Sequence, residues 1–158
     1  MADPNISVAL TIQHEGGFVN NPADPGGATK YGVEQRDIPN TPIQTLTVEQ
    51  ATEYYLQNYV KPFYAQIASQ VMLDKLVDMG VLFGVGTAIK ILQGVLGVSI
   101  DGNFGPQSLA LLNTLTVPSA GSILTEYKAR LHTYAAEVVG SHPQEGIFLR
   151  GWQNRIDS

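Results

Sequence analysis

The sequence predicts one mainly α-helical domain of two packed lobes, with a long irregular loop or a minimal β-hairpin after the first helix. Three observations carry this expectation. Apolar residues recur at helical spacing over most of the chain. From Gly16 to Gly27 fall four glycines and two prolines, a density no regular element tolerates, because glycine loses backbone entropy and proline lacks an amide donor. And 158 residues, 44% of them apolar and without repeats or low-complexity tracts, suit a single core.

In chain order, Asn5 is placed to cap a first helix from Ile6 to about His14, with Ile6, Ala9, Leu10 and Gln13 at helical spacing. Glu15 stands at its last turn, where the negative end of the helix dipole disfavours an ionised carboxylate. Phe18 and Tyr31 are near enough in sequence to dry it, and both effects favour a carboxyl that keeps its proton, as a general acid must. The plainer reading is a surface glutamate before a helix-ending glycine. His14, about 100° away on a regular helix, reads as structural.

Residues 16–45 form the irregular segment, long enough for function, with a small hairpin expected around Lys30 to Val33. Asn20, Asn21 and Asp24 can accept backbone amides in its turns. Asp37, Pro39, Asn40 and Pro42 close it, and Gln35 and Arg36 read as surface. Thr47 and Gln50 spell a capping box, opening a helix from Val48 to Val60 that carries Tyr54, Tyr55 and Tyr59. Aromatics so spaced pack a core more often than they stack on a sugar, although Tyr55 and Tyr59 could do the latter.

A helical turn follows from Phe63 to Ala68, then a mostly buried helix from Gln70 to Leu82 on which Asp74 and Asp78 share a face. Thr87 to Leu96 is the next helix, and Pro106 begins another to Leu115. Between them Asp101-Gly102 is a tight turn, in which Asp101 can tie down loop amides. After Thr116-Val117-Pro118, Ser119 caps a long helix to about Val139, with Leu124, Tyr127, Leu131, Tyr134, Ala135 and Val138 inward. Arg130 lies partly inward there and is expected to pair with a buried carboxylate such as Asp78. Phe148 to Ile156 is the last helix, with Trp152 bracing the core.

Three motifs carry a definite resemblance. Glu15-Gly16-Gly17-Phe18-Val19-Asn20-Asn21-Pro22, then Asp24-Pro25-Gly26-Gly27, Thr29 and Gly32-Val33, is similar to the N-terminal signature of the glycoside hydrolase family 108 muramidases, which include phage endolysins and bacterial lysozymes. Phe18 stands where that family usually has Tyr, and Asn21 where it has Asp. Leu92-Gln93, Gly97-Val98, Asp101-Gly102 and Gly105-Pro106-Gln107-Ser108 resemble its C-terminal peptidoglycan-binding segment, and Gly151-Trp152-Gln153-Asn154-Arg155 its closing motif.

The resemblance implies a lysozyme-like fold over residues 1–158, with a catalytic segment at 5–88 and a helical lobe at 89–158. It implies Glu15 as the acid that cleaves the β-1,4 link between N-acetylmuramic acid and N-acetylglucosamine. Thr29, Tyr31, Asp24, Asn20 and Tyr55 would place sugar or water, and Asp78, Asp101, Arg130 and Trp152 would give structural support. No cofactor or metal is implied.

Composition narrows the rivals. A formal charge of −5 lacks the basic footprint of a nucleic-acid binder, and an acidic lysozyme has to rely on a shaped cleft. Without cysteine, and with His14, His132 and His142 in no zinc-like spacing, a metal-dependent amidase is poorly supported. A lytic transglycosylase on the same bond, or a wall-binding protein without turnover, stays open. The expected partner is the glycan strand, met by a monomer with no stable membrane insertion. The N-terminus, Met1 to Asn5, has no signal-peptide character, so synthesis in the cytoplasm, release by a holin or secretion system, and action in the periplasm or on the wall are expected.

Overall fold

The computed structural model of the chain describes residues 1–20 and 27–158, with the backbone alone at 116–120. Among the described residues the α-helices are α1 (Pro4–Glu15), α2 (Val48–Tyr59), α3 (Gln70–Phe83), α4 (Val85–Leu96), α5 (Pro106–Ser141) and α6 (Leu149–Asp157). The predicted hairpin follows α1. Its strands β1 (Thr29–Lys30) and β2 (Val33–Glu34) pair antiparallel, Thr29 opposite Glu34 and Lys30 opposite Val33. The fold is mainly helical, as the periodicity predicts.

Helix α3 is the axis of the packing. α1 and α4 lie most extensively against it, with lighter contacts from α2 and α6. Met72, Leu73, Leu76, Val77 and Met79 on α3 are at most 1% exposed, and the same apolar cluster runs on through Leu112, Tyr127, Leu131 and Ala135 of α5 to Ile156 of α6. The two halves of the chain therefore share one core.

The buried face of α1 differs from the predicted stripe. Ile6 and Leu10 are exposed, while Ser7, Val8, Thr11 and Ile12 are buried. Two small hydroxyl residues can face the core because both are satisfied: Ser7 Oγ donates to Asp74 Oδ1 at 2.6 Å and Thr11 Oγ1 to the Ser7 carbonyl at 3.0 Å. Asp3 rather than Asn5 caps the helix, its carboxylate accepting the Asn5 amide at 2.9 Å. At α2 the capping box forms as read, with Gln50 N donating to Thr47 Oγ1 and Thr47 N to Gln50 Oε1.

A second difference lies in α5. Instead of two helices separated at Pro118 with a Ser119 cap, one 36-residue helix runs from Pro106 to Ser141. Proline removes one backbone donor, but its fixed φ is itself helical, so a helix held at both ends by packing can carry it. Tyr127, Leu131 and Ala135 face inward as predicted. Arg130 does not: it is half exposed and pairs along its own helix with Glu126 at 3.0 Å. The expected tie from Arg130 to Asp78 is therefore corrected, the spacing having placed Arg130 one step off the buried stripe.

The turn between α4 and α5 hangs on Gln93, which is 2% exposed. Its Nε2 donates to Asp101 Oδ1 at 2.8 Å and to the Asn103 carbonyl at 3.0 Å, while its Oε1 accepts the Asp101 and Gly102 amides. The Asn103 amide, with Gln93, holds the Asp101 carboxyl below its usual range. The motif residues of this turn are thus spent on each other. Gln93→Leu should cost about 3 kcal/mol, since it leaves two backbone donors and a carbonyl without their partner. A thermal melt should show this as a midpoint lower by roughly 6–12 °C.

Candidate active site

Glu15 is the last residue of α1, with its side chain 22% exposed. Among the described residues three elements close on it. From one side comes the hairpin turn Tyr31-Gly32, in which both residues have positive φ, 54° and 76°. That is the backbone of the tight two-residue turn whose twist suits paired strands, and the second position here admits glycine only. A Cβ on Gly32 would collide with the Tyr55 hydroxyl and stand 2.7 Å from Glu15 Cγ. The turn therefore lies directly on the glutamate.

From behind, Tyr55 of α2 fixes that turn. It is 1% exposed, and its hydroxyl donates to the Tyr31 carbonyl at 2.9 Å. Burial, and then the Glu15 charge, push its phenol well above the ordinary range, so it acts as a neutral donor. Its ring, packed against Tyr54 and Tyr59, is closed to a sugar; the predicted stacking role is corrected to support of the hairpin. Lys30 Nζ lies 5.4 Å from the Tyr31 ring centroid while donating to the Gln44 carbonyl. Gln35, read as surface, staples the loop beyond: it donates to the Ile38 and Thr41 carbonyls and accepts the Ile43 amide.

From the third side comes Arg155 of α6. Its Nη1 lies 2.6 Å from Glu15 Oε1. Its Nε and Nη2 grip the Asp78 carboxylate of α3 at 2.9–3.1 Å. His14 Nδ1 meets the same Asp78 oxygen at 3.2 Å. Burial opposes the Arg155 charge, but the bonds and charges of Asp78 and Glu15 outweigh it and hold the group above its usual value. So what faces Glu15 is a guanidinium rather than the aromatic wall foreseen, and Phe18 is 45% exposed.

The remaining predicted residues are dispersed. Thr29 begins the hairpin and pairs by backbone with Val19, and Asn20 beside it is exposed. Asp24, with Asn21, lies outside the described residues. Asp101 sits in the α4–α5 turn, away from this cluster. Trp152 is half-buried, edge-on to Phe83 and stacked on Phe148, where α6 meets α3. It lines a groove of about 440 Å³ that also touches His14 and Arg155. Among the described residues no three His, Asp or Glu side chains could hold a metal ion, and no helix is long and apolar enough to cross a membrane.

Arg155 is the residue that sequence reasoning named without seeing its use. A cation in the last turn of a C-terminal helix is routine compensation of the dipole, so only its place in the closing motif marked it.

Lys75, beside this cluster, donates to the Arg155 carbonyl at 2.8 Å. Burial pulls its ammonium down to about 8, against the pull of Asp78. Between pH 8 and 10.5 the unfolded chain then binds this proton more than the folded one, so the lysine's contribution to stability rises with pH across that window. The melting midpoint of Lys75→Met minus that of the wild type should be flat below pH 8 and fall from there to pH 10.5.

The comparisons with known proteins point to a hydrolase acting on peptidoglycan. Residues 8–84 match Glycosyl hydrolase 108, and residues 87–157 match the family described as Predicted Peptidoglycan domain. The solved structure of Brucella abortus SagA superimposes with a TM-score of 0.75 at 25% identity, covering 98% of this chain and 89% of that one. No curated protein sequence matches. The chain is thus similar over its first segment to the glycosyl hydrolase 108 family and over its second to a predicted peptidoglycan domain.

Proposed function

We propose that the protein is a lysozyme-type N-acetylmuramidase that hydrolyses the β-1,4 link between N-acetylmuramic acid and N-acetylglucosamine, with Glu15 as general acid. The observation that carries this reading is the convergence on Glu15 of a hairpin turn, a helix end and an anchored arginine, inside the segment that matches the glycosidase family. Such convergence fixes one carboxyl group to a single geometry, which proton transfer to a glycosidic oxygen requires.

In the proposed reaction the Glu15 proton passes to the bridging oxygen as the C1–O bond breaks. The sugar cation at C1 takes up water and releases a proton, leaving a reducing muramic acid end. Thr29 and the Tyr31-Gly32 turn lie on the hairpin and are the groups proposed to place the sugar or the water. The enzyme would act in the periplasm or on the wall, where this polymer is, after release by a holin or a secretion route.

The test is a digest of purified peptidoglycan by wild type and Glu15→Gln, read by mass spectrometry. Wild type should release muropeptides that carry the added water, and the variant should release them about 10²–10⁴-fold more slowly. Anhydro-muramic products would make the enzyme a lytic transglycosylase, and stem-peptide fragments with intact glycan would remove the glycosidase assignment.

A further inference from the structure

We infer that Arg155, carried by the last helix, is the positioning residue for Glu15, so that the segment matching a predicted peptidoglycan domain completes the catalytic centre of the segment before it. The inference rests on the muramidase reading above and adds a residue to it.

The geometry is specific. Glu15 stands at a helix end, beyond which lies a glycine-rich loop, and a glutamate there has three side-chain torsions to lose. The hairpin turn blocks it on one side. On the other, Arg155 Nη1 takes its Oε1 at 2.6 Å. The arginine is not free to follow a moving carboxylate, because two of its other nitrogens are held by Asp78, which is 4% exposed and braced by His14. A planar guanidinium can serve two carboxylates in fixed directions at once, which a lysine ammonium cannot. Asp78 thus acts on Glu15 through Arg155, which follows it by 77 residues in sequence.

The second segment has little else in its motif to offer. Gln93, Asp101 and Gly102 are bonded to one another in the α4–α5 turn. Arg155 reaches out of that segment altogether to touch the glutamate of the first.

Among the described residues, Tyr55 on α2 feels both charges, Lys75 on α3 feels Arg155, and Asp78 on α3, itself met by His14 of α1, is bonded to Arg155. Among the described residues Arg155 is the cation in direct contact with Glu15.

The experiment uses full-length Arg155→Met, Arg155→Lys and Asp78→Asn, with Glu15→Gln as reference. Release of soluble muropeptides is followed for kcat and KM, alongside thermal melts. Arg155→Met should lower kcat on the order of 10²-fold with KM little changed, as for a catalytic group misplaced by about 1 Å. Arg155→Lys should stay slow, because charge is restored and the fork is not. Asp78→Asn should be slow as well.

If Arg155→Met does not fold, the lysine and asparagine variants decide by the same readouts. A lower melting point with kcat intact would make Arg155 a core tie only and overturn the inference. An active Glu15→Gln would instead remove the parent reading, whatever the arginine variants do.

Discussion

Glu15→Gln is expected to lower the rate of glycan cleavage by about 10²–10⁴-fold, the range a positioned general acid contributes. The melting point should hardly move. The amide is the same size, its oxygen can still accept from Arg155 Nη1, and Arg155 keeps its grip on Asp78 through Nε and Nη2. The variant therefore separates chemistry from architecture. A folded Glu15→Gln protein that clears a peptidoglycan suspension at wild-type rate would end the proposed mechanism.

Gly32→Ala is expected to have the second-largest effect, and for a different reason. The new methyl group would collide with the Tyr55 hydroxyl and come to 2.7–2.8 Å from Glu15 Cγ and Cβ. Left-handed φ at a residue with a Cβ adds about 1–2 kcal/mol. The hairpin has to lift or the glutamate has to rotate, and either undoes the geometry in which the acid is held. We expect a loss of activity on the order of 10²-fold together with a lower melting point. Tyr31→Gly is the counterpart: it relaxes the positive φ of Tyr31 and preserves the carbonyl that Tyr55 holds, so the turn itself should survive. An alanine variant as active as wild type would mean that the turn does not define the position of Glu15.

What could be read from the sequence was what is written locally. The Thr47–Gln50 capping box, the glycine-rich segment after Glu15 and the hairpin at Thr29 to Glu34 each follow from residues within a few positions of one another. What could not be read depends on partners far along the chain. The buried face of α1 contains Ser7 and Thr11, which look like surface residues until Asp74 and a carbonyl satisfy them. Asp78 was rightly suspected of needing a cation, but helical spacing pointed to Arg130, whereas the partner arrives from α6. Tyr55 was weighed as a sugar platform because an aromatic on a helix does not announce which face the core will claim. Pro118 promised a break that packing at both ends of α5 overrode.

Arg155 belongs to the final turn of the final helix, whereas the carboxylate it holds closes the first. Translation proceeds from one to the other, so a nascent chain carries its acid long before it carries the clasp for it. A chain cut before α6 would hold the glutamate, the hairpin and α3 and still lack the arginine that meets Glu15.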